Sequence, residues 1–174
     1  PEISLPEEGR FGFGSDDRAY RRMVEYDRRY ADIYAVNLAT GERKQVARQQ
    51  AGTMIWSPSG SHALHFDGQN WNAVAAETGE RVNLTRQLAV KFFNEEDDHP
   101  DTPPAYGLGG WVKDGRSVLL YDRYDIWQVA LDGTRAVNVT EGLGRAEGIQ
   151  FRVVRLGADD PRDRGIDPAK PLLL

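Results

Sequence analysis

Few side chains in this sequence can do chemistry, and their spacing narrows what that chemistry is. Six serines (Ser4, Ser15, Ser57, Ser59, Ser61, Ser117) and three histidines (His62, His65, His99) would be the raw material of an acyl-transfer site. None of the serines lies in a Gly-x-Ser-x-Gly elbow, the turn that presents a hydrolase nucleophile. His62 and His65 are three residues apart in an apolar run that reads as a strand. Strand geometry sends them to opposite faces, so they cannot chelate one metal together and read as ordinary strand residues. With no cysteine, neither disulfides nor thiolate chemistry is available. Gly12-Phe13-Gly14 has the look of a phosphate loop but lacks the strand–helix unit that such a loop needs.

Two features remain. The run Glu95, Glu96, Asp97, Asp98 and Asp101, with His99 inside it, gathers enough oxygens for a hard cation such as Ca²⁺. Its spacing is not that of an EF-hand, and no Gly sits mid-loop. A charge run of this kind more often faces solvent or a substrate. Arg123 lies between two tyrosines in YDRYD (121–125). It can pair with Asp122 or Asp125, or meet a substrate carboxylate. The expected contact residues are therefore Arg123, Glu95, Glu96, Asp97, Asp98 and His99. No catalytic residue and no cofactor is expected, and the metal alternative is Glu95, Glu96, Asp97, Asp98 and Asp101.

The elements that must position these residues are repeats. WSPSGSHALHFD (56–67) aligns with WVKDGRSVLLYD (111–122), and NWNAVAAETGERVNLT (70–85) with DIWQVALDGTRAVNVT (125–140). A further copy of the second half, DIYAVNLATGERKQVA, occupies 32–47. The offsets are 38 residues from Asp32 to Asn70 and 55 from Trp56 to Trp111. Short alternating strands joined by Gly turns at such a period are the signature of propeller blades. Trp56, Trp71, Trp111 and Trp127 fall at matching or near-matching positions, which argues for packing between blades.

The pattern predicts an all-β chain, a β-propeller fragment of about three four-stranded antiparallel blades plus part of a fourth. The units run over about 20–50, 51–88 and 105–143. An acidic insertion (89–104), the start of a further blade (145–156) and a loop-like tail (157–174) complete the single partial domain. Residues 21–27 are expected to pair with 31–38 as a hairpin, and 1–19 to be mostly irregular. Closed propellers hold roughly 4–8 blades, so three blades imply a larger ring, or an open arc that self-associates through its edges. The chain opens on Pro1 without a Met or an apolar signal core, and closes on three Leu. Both ends read as cuts in a longer protein.

A net charge of −5 with scattered basic residues argues against nucleic acid. No run of 18 apolar residues exists to span a membrane as a helix.

The string YGLGGWVKDGRSVLLYDRYDIWQVALDGTRAVNVTEGLGRAEGIQFRVVRL (106–156) resembles the propeller of bacterial serine peptidases of the prolyl oligopeptidase family. That family shows an acidic, Pro-containing insertion, then Tyr-Gly, Gly-Trp, an Asp-Gly turn and Tyr-Asp-Arg-Tyr-Asp-Ile-Trp. Here these are NEEDDHPDTPP (94–104), Tyr106-Gly107, Gly110-Trp111, Asp114-Gly115 and Tyr121 to Trp127. The resemblance covers roughly residues 20–156. It implies a non-catalytic propeller that gates peptide access to an α/β-hydrolase domain outside this chain, with peptide substrate and that domain as partners. It also implies a periplasmic or secreted setting. The blade grammar alone is shared with TolB-like propellers, so the competing class is a TolB-like interaction scaffold with no enzyme partner, calcium-stabilised if the acidic loop holds a cation.

Overall fold

The computed structural model describes residues 2–6, 9–26, 29–52, 54–100, 102–154 and 165–174. Twelve strands form three four-stranded antiparallel sheets among these residues, each with its strands in chain order. The first sheet holds β1 (Glu2–Ser4), β2 (Phe11–Asp16), β3 (Ala31–Asn37) and β4 (Arg43–Gln50). The second holds β5 (Ile55–Trp56), β6 (His62–Phe66), β7 (Trp71–Ala75) and β8 (Arg81–Asn83). The third holds β9 (Leu108–Trp111), β10 (Ser117–Tyr121), β11 (Ile126–Ala130) and β12 (Ala136–Asn138). This is the all-β, blade-by-blade architecture that the repeats predict. The chain divides into two compact units, Pro1–Asp67 with Trp71–Val82, and Gly68–Asn70 with Asn83–Leu174.

The repeat is literal at the level of register. His62 pairs with Ala75 and Phe66 with Trp71; Ser117 pairs with Ala130 and Tyr121 with Ile126. Each partner in the third sheet stands 55 positions after its counterpart in the second. One consequence corrects the tryptophan alignment. Trp71 corresponds to Ile126, so Trp127 takes the place of Asn72 and belongs to the other face of its strand.

In the first unit the core lies between two sheets. Phe13, Ile33, Ala35 and Ala47 of the first sheet meet Ala63 and Val74 of the second, together with Ala76. Trp56 closes the rim against Phe13, ring centroids 4.8 Å apart. Small alanines from both sheets let the layers approach closely. The bulky residues Phe13, Ile33 and Val74 then contribute about 1.5–3 kcal/mol each through burial. In the second unit Val112, Leu119, Tyr121 and Ile126 form the core, covered by Tyr106, Phe151, Val153, Ile166 and Leu172.

Three local expectations fail, each for a physical reason. Residues 21–26 form a 3-10 helix, not a strand. Asp17 starts the turn that leads into it: its carbonyl accepts from the Tyr20 amide and its carboxylate pairs with Arg21 at 3.5 Å. The partner of β3 is instead β2, in the stretch expected to be irregular. Phe13 of β2 is buried opposite Ala35, while a Cβ at Gly12 would meet Leu5 at 3.0 Å and the Ser4 carbonyl at 3.1 Å. The glycine is there for close packing, and no phosphate loop exists. Lastly, 149–154 carries single backbone bonds where a strand ladder was expected. The Phe151 amide donates to Tyr124 and that of Val154 to Leu173. It follows a one-turn helix, α1 (Leu143–Glu147), that the repeat pattern does not announce. Part of the tail is also structured, with Ile166 bridging Val112 in parallel beside β9.

A tie recurs in all three sheets. A residue within one position of the start of the third strand reaches the end of the outermost strand or the loop after it. In the first sheet Asp32 accepts from the Gln49 amide at 3.0 Å and the Tyr20 hydroxyl at 2.6 Å. A bulge in β4 makes this possible by placing Gln49 at φ 47°. Asn70 accepts from the Thr85 hydroxyl at 3.2 Å. Asp125 accepts from the Thr140 hydroxyl at 2.7 Å and the amides of Gly144 and Arg145 at 3.0 and 3.3 Å. Asp125 is fully buried, so its charge is tolerated only because these donors replace water.

Removing that acceptor strands the Gly144 and Arg145 amides and leaves the Thr140 hydroxyl donating to Asn138 alone. Asp125→Ala is expected to cost about 3 kcal/mol or more, and Asp125→Asn, which keeps the bond that Asn70 makes in the second sheet, about 1 kcal/mol. Urea unfolding of the two variants against the parent chain checks both values. Equal costs would contradict the tie.

Candidate functional site

The acidic insertion is a closed loop in the second unit, pinned at its base. Phe93 bridges Ala105, the Asn94 amide donates to Pro104 at 2.7 Å, and the Tyr106 amide donates to Phe92 at 2.9 Å. Phe92 is fully buried and meets Trp127 edge to face, with centroids 6.4 Å apart. The loop is thereby fixed to β11 by an aromatic pair whose two members come from the insertion and from the YDRYDIW run. The Tyr106 hydroxyl takes the Glu95 amide at 3.0 Å, and Asn94 Oδ1 takes the Glu96 amide at 3.1 Å.

Its acids part into two sets. Glu95 pairs with Lys91 at 3.5 Å. Glu96 pairs with the Arg123 guanidinium, which also lies 5.1 Å over the Tyr124 ring. Asp97 instead accepts from the His99 amide at 3.0 Å and contacts its Nδ1 at 2.6 Å. The His99 backbone amide, then its ring, hold the Asp97 carboxyl below the usual carboxylate range. Asp97, Asp98 and His99 bring one ligand-type atom each within 4.8 Å of one another. The structure therefore unites Asp97, Asp98 and His99, and directs Glu95 and Glu96 to other partners. Asp101 lies outside the described residues.

Arg123 meets neither Asp122 nor Asp125, the two partners its sequence neighbourhood suggested. Both carboxylates are buried and already engaged. Asp122 Oδ1 accepts from the amides of Tyr124 and Asp125, both at 2.7 Å. Its Oδ2 accepts from Trp127 Nε1 at 3.0 Å and faces Arg145 at 3.4 Å. With the turn fixed in this way, Arg123 points to the loop. The side chain of Arg123 is 31% exposed and that of Glu96 67%, so the pair is reachable by a ligand.

Sequence reasoning missed two basic groups at this turn. Arg145 lies 5.4 Å from the Tyr124 ring centroid, and Arg152 lies 4.6 Å from that of Tyr121. Arg152 also donates to the carbonyls of Asp122 and Arg123 at 3.4 and 3.3 Å. Their distance in sequence from the motif, 18 and 25 positions after Trp127, hid them.

A Ser–His contact does occur elsewhere, in the first unit. Ser61 Oγ lies 3.0 Å from His62 Nδ1, and Ser59 Oγ lies 2.8 Å from Ser61 Oγ. Burial pushes His62 below the usual histidine range. Among the described residues no carboxylate orients its ring, and the serines close the β5–β6 turn, where Ser57 Oγ accepts the His62 amide at 3.1 Å. This is turn chemistry, not a nucleophile with its base.

No family model matches the chain, and no curated protein is similar to it in sequence. Among solved structures, a TolB candidate from Agrobacterium tumefaciens is similar at 16% identity and TM-score 0.43, over 79% of this chain and 44% of that one. The acylaminoacyl peptidase of Pyrococcus horikoshii is similar at 13% identity and TM-score 0.43, over 78% of this chain and 24% of that one. The chain thus spans less than half the length of either protein.

The exposed ion pair is not a structural keystone. Arg123→Ala is expected to lower stability by less than about 1 kcal/mol, as for other exposed pairs. Thermal and urea unfolding check this, and a larger loss would make Arg123 a fold residue.

Proposed function

We propose that this chain is the non-catalytic propeller region of a serine peptidase of the prolyl oligopeptidase family, gating peptide access to a hydrolase domain outside it. The observation that carries the reading is the joining of the acidic loop to the Tyr-Asp-Arg-Tyr-Asp-Ile-Trp run. Phe92 packs on Trp127 and Glu96 pairs with Arg123, so the two motifs of the resemblance form one built surface.

That surface has the right chemistry for peptides. Glu96 offers a carboxylate to an amino terminus or a basic side chain, and Arg123 offers a planar guanidinium to a carboxylate or a backbone carbonyl. A peptide exchanging with the Arg123–Glu96 pair replaces one exposed ion pair by two charge-assisted contacts. Backbone anchoring of the loop on both sides limits the entropy lost when it binds. The chain's own part is recognition and exclusion, with bond cleavage assigned to the partner domain.

A TolB-like scaffold would use the same blades to hold a folded protein. Amide resonances of the labelled chain, titrated with short oligopeptides, separate the two. Gating predicts shifts confined to residues 94–99 and 123–124, and about tenfold weaker binding by Arg123→Ala. Absence of peptide shifts there, or a parent reading frame without a Gly-x-Ser-x-Gly elbow followed by Asp and His, would contradict the peptidase reading.

A further inference from the structure

His65 is the buried ionisable group that the proposed function leaves unused. It lies on β6 and is 1% exposed, and neither ring nitrogen has a hydrogen-bond partner among the described residues. Alternation places it on the same face of β6 as Ala63, and its cross-strand partner is Asn72. That face forms the core with Phe13, Ile33, Ala35 and Ala47 of the first sheet. An imidazole in this seam is accommodated as a neutral, flat, largely apolar ring.

A proton has no place there. The imidazolium is a double donor, and among the described residues neither nitrogen meets an acceptor. Of the charged groups around it, Arg81 opposes protonation and Asp67 favours it. These two are bonded to each other at 3.0 Å, and Arg81 also donates to Asn72 at 3.1 Å, so neither is free to turn toward the ring. The strands β5 and β7 contribute no charged residue. On the first sheet the facing residues of β3 are Ile33 and Ala35, with Asp32 on the other face holding Tyr20 and Gln49. The charged residues of β4, Arg43, Lys44 and Arg48, are exposed and engaged with Tyr34, Thr78 and Gln45.

We propose that His65 is an acid-operated release for the seam between the first two sheets: taking up a proton forces its ring toward water, and β6 parts from the first sheet. Burial first, and Arg81 second, push the ring from the ordinary 6.5 down to about 4. The unfolded chain therefore binds the proton at higher pH than the folded one. The stability this group contributes is complete above about 6.5 and is lost as pH falls toward about 4. Between pH 7 and 4.5 the linkage raises the unfolding equilibrium constant by about 60-fold through this one side chain.

The test uses the whole chain and two substitutions, His65→Leu and His65→Asn, in urea unfolding at pH 7 and 4.5. The unfolding equilibrium constant of the parent should rise about 60-fold more on acidification than that of either variant. Ring NMR of the parent supplies a readout that requires no variant. His65 should resist protonation until near pH 4, and amide protection in β3 and β6 should fall as it titrates. Parallel pH profiles for parent and variants, ring titration near 6.5 in the folded protein, or retained β6 protection through the titration would each overturn the proposal.

Discussion

Each sheet depends on a single polar residue that ties its outermost strand to the inner ones. β8 and β12 contribute only three residues each, too few to be held by ladder bonds alone. Asn70 and Asp125 supply the missing constraint by accepting the hydroxyls of Thr85 and Thr140, and Asp32 does the same for β4 through a backbone amide. The strength of the tie follows its environment. Asp125 is sealed from water and gathers three donors, so it organises both β12 and the start of α1.

The same turn decides where the candidate site forms. Asp122 uses both oxygens on the backbone and on Trp127, which fixes the path of 122–127. Trp127 is then available for Phe92, and Arg123 is excluded from the carboxylates beside it in sequence. A buried polar network therefore sets the direction of an exposed guanidinium, and the acidic loop meets it through Glu96. The position of the exposed ion pair thus follows from the satisfaction of buried carboxylates.

Much of this was legible in the sequence because a repeat announces itself several times. The constant spacing between the second and third sheets fixed strands, turns and register without reference to any propensity. The first sheet was harder to read, since its copy begins only at Asp32 and β2 is written in Phe and Gly. Gly12 looks like a loop residue until its close packing against Ser4 of β1 and against Leu5 is known. Met23 and Val24 are apolar but not buried, Val24 being half-exposed, so the alternation there was accidental. In the site, the acidic run and Arg123 were readable as charges. Their partners were not, because pairing depends on which carboxylates the fold has already consumed. Arg145, Arg152 and Ile166 reach the third sheet from elements outside the repeat, and no period points to them.

Native-state hydrogen exchange on the parent chain tests the tie most directly. If Asp125 couples β12 and α1 to the rest of the sheet, the amides of residues 136–145 exchange through the same opening as β10 and β11, with similar denaturant dependence. Exchange of 136–145 by local fraying, orders of magnitude faster than β10 and β11 and insensitive to denaturant, would contradict it.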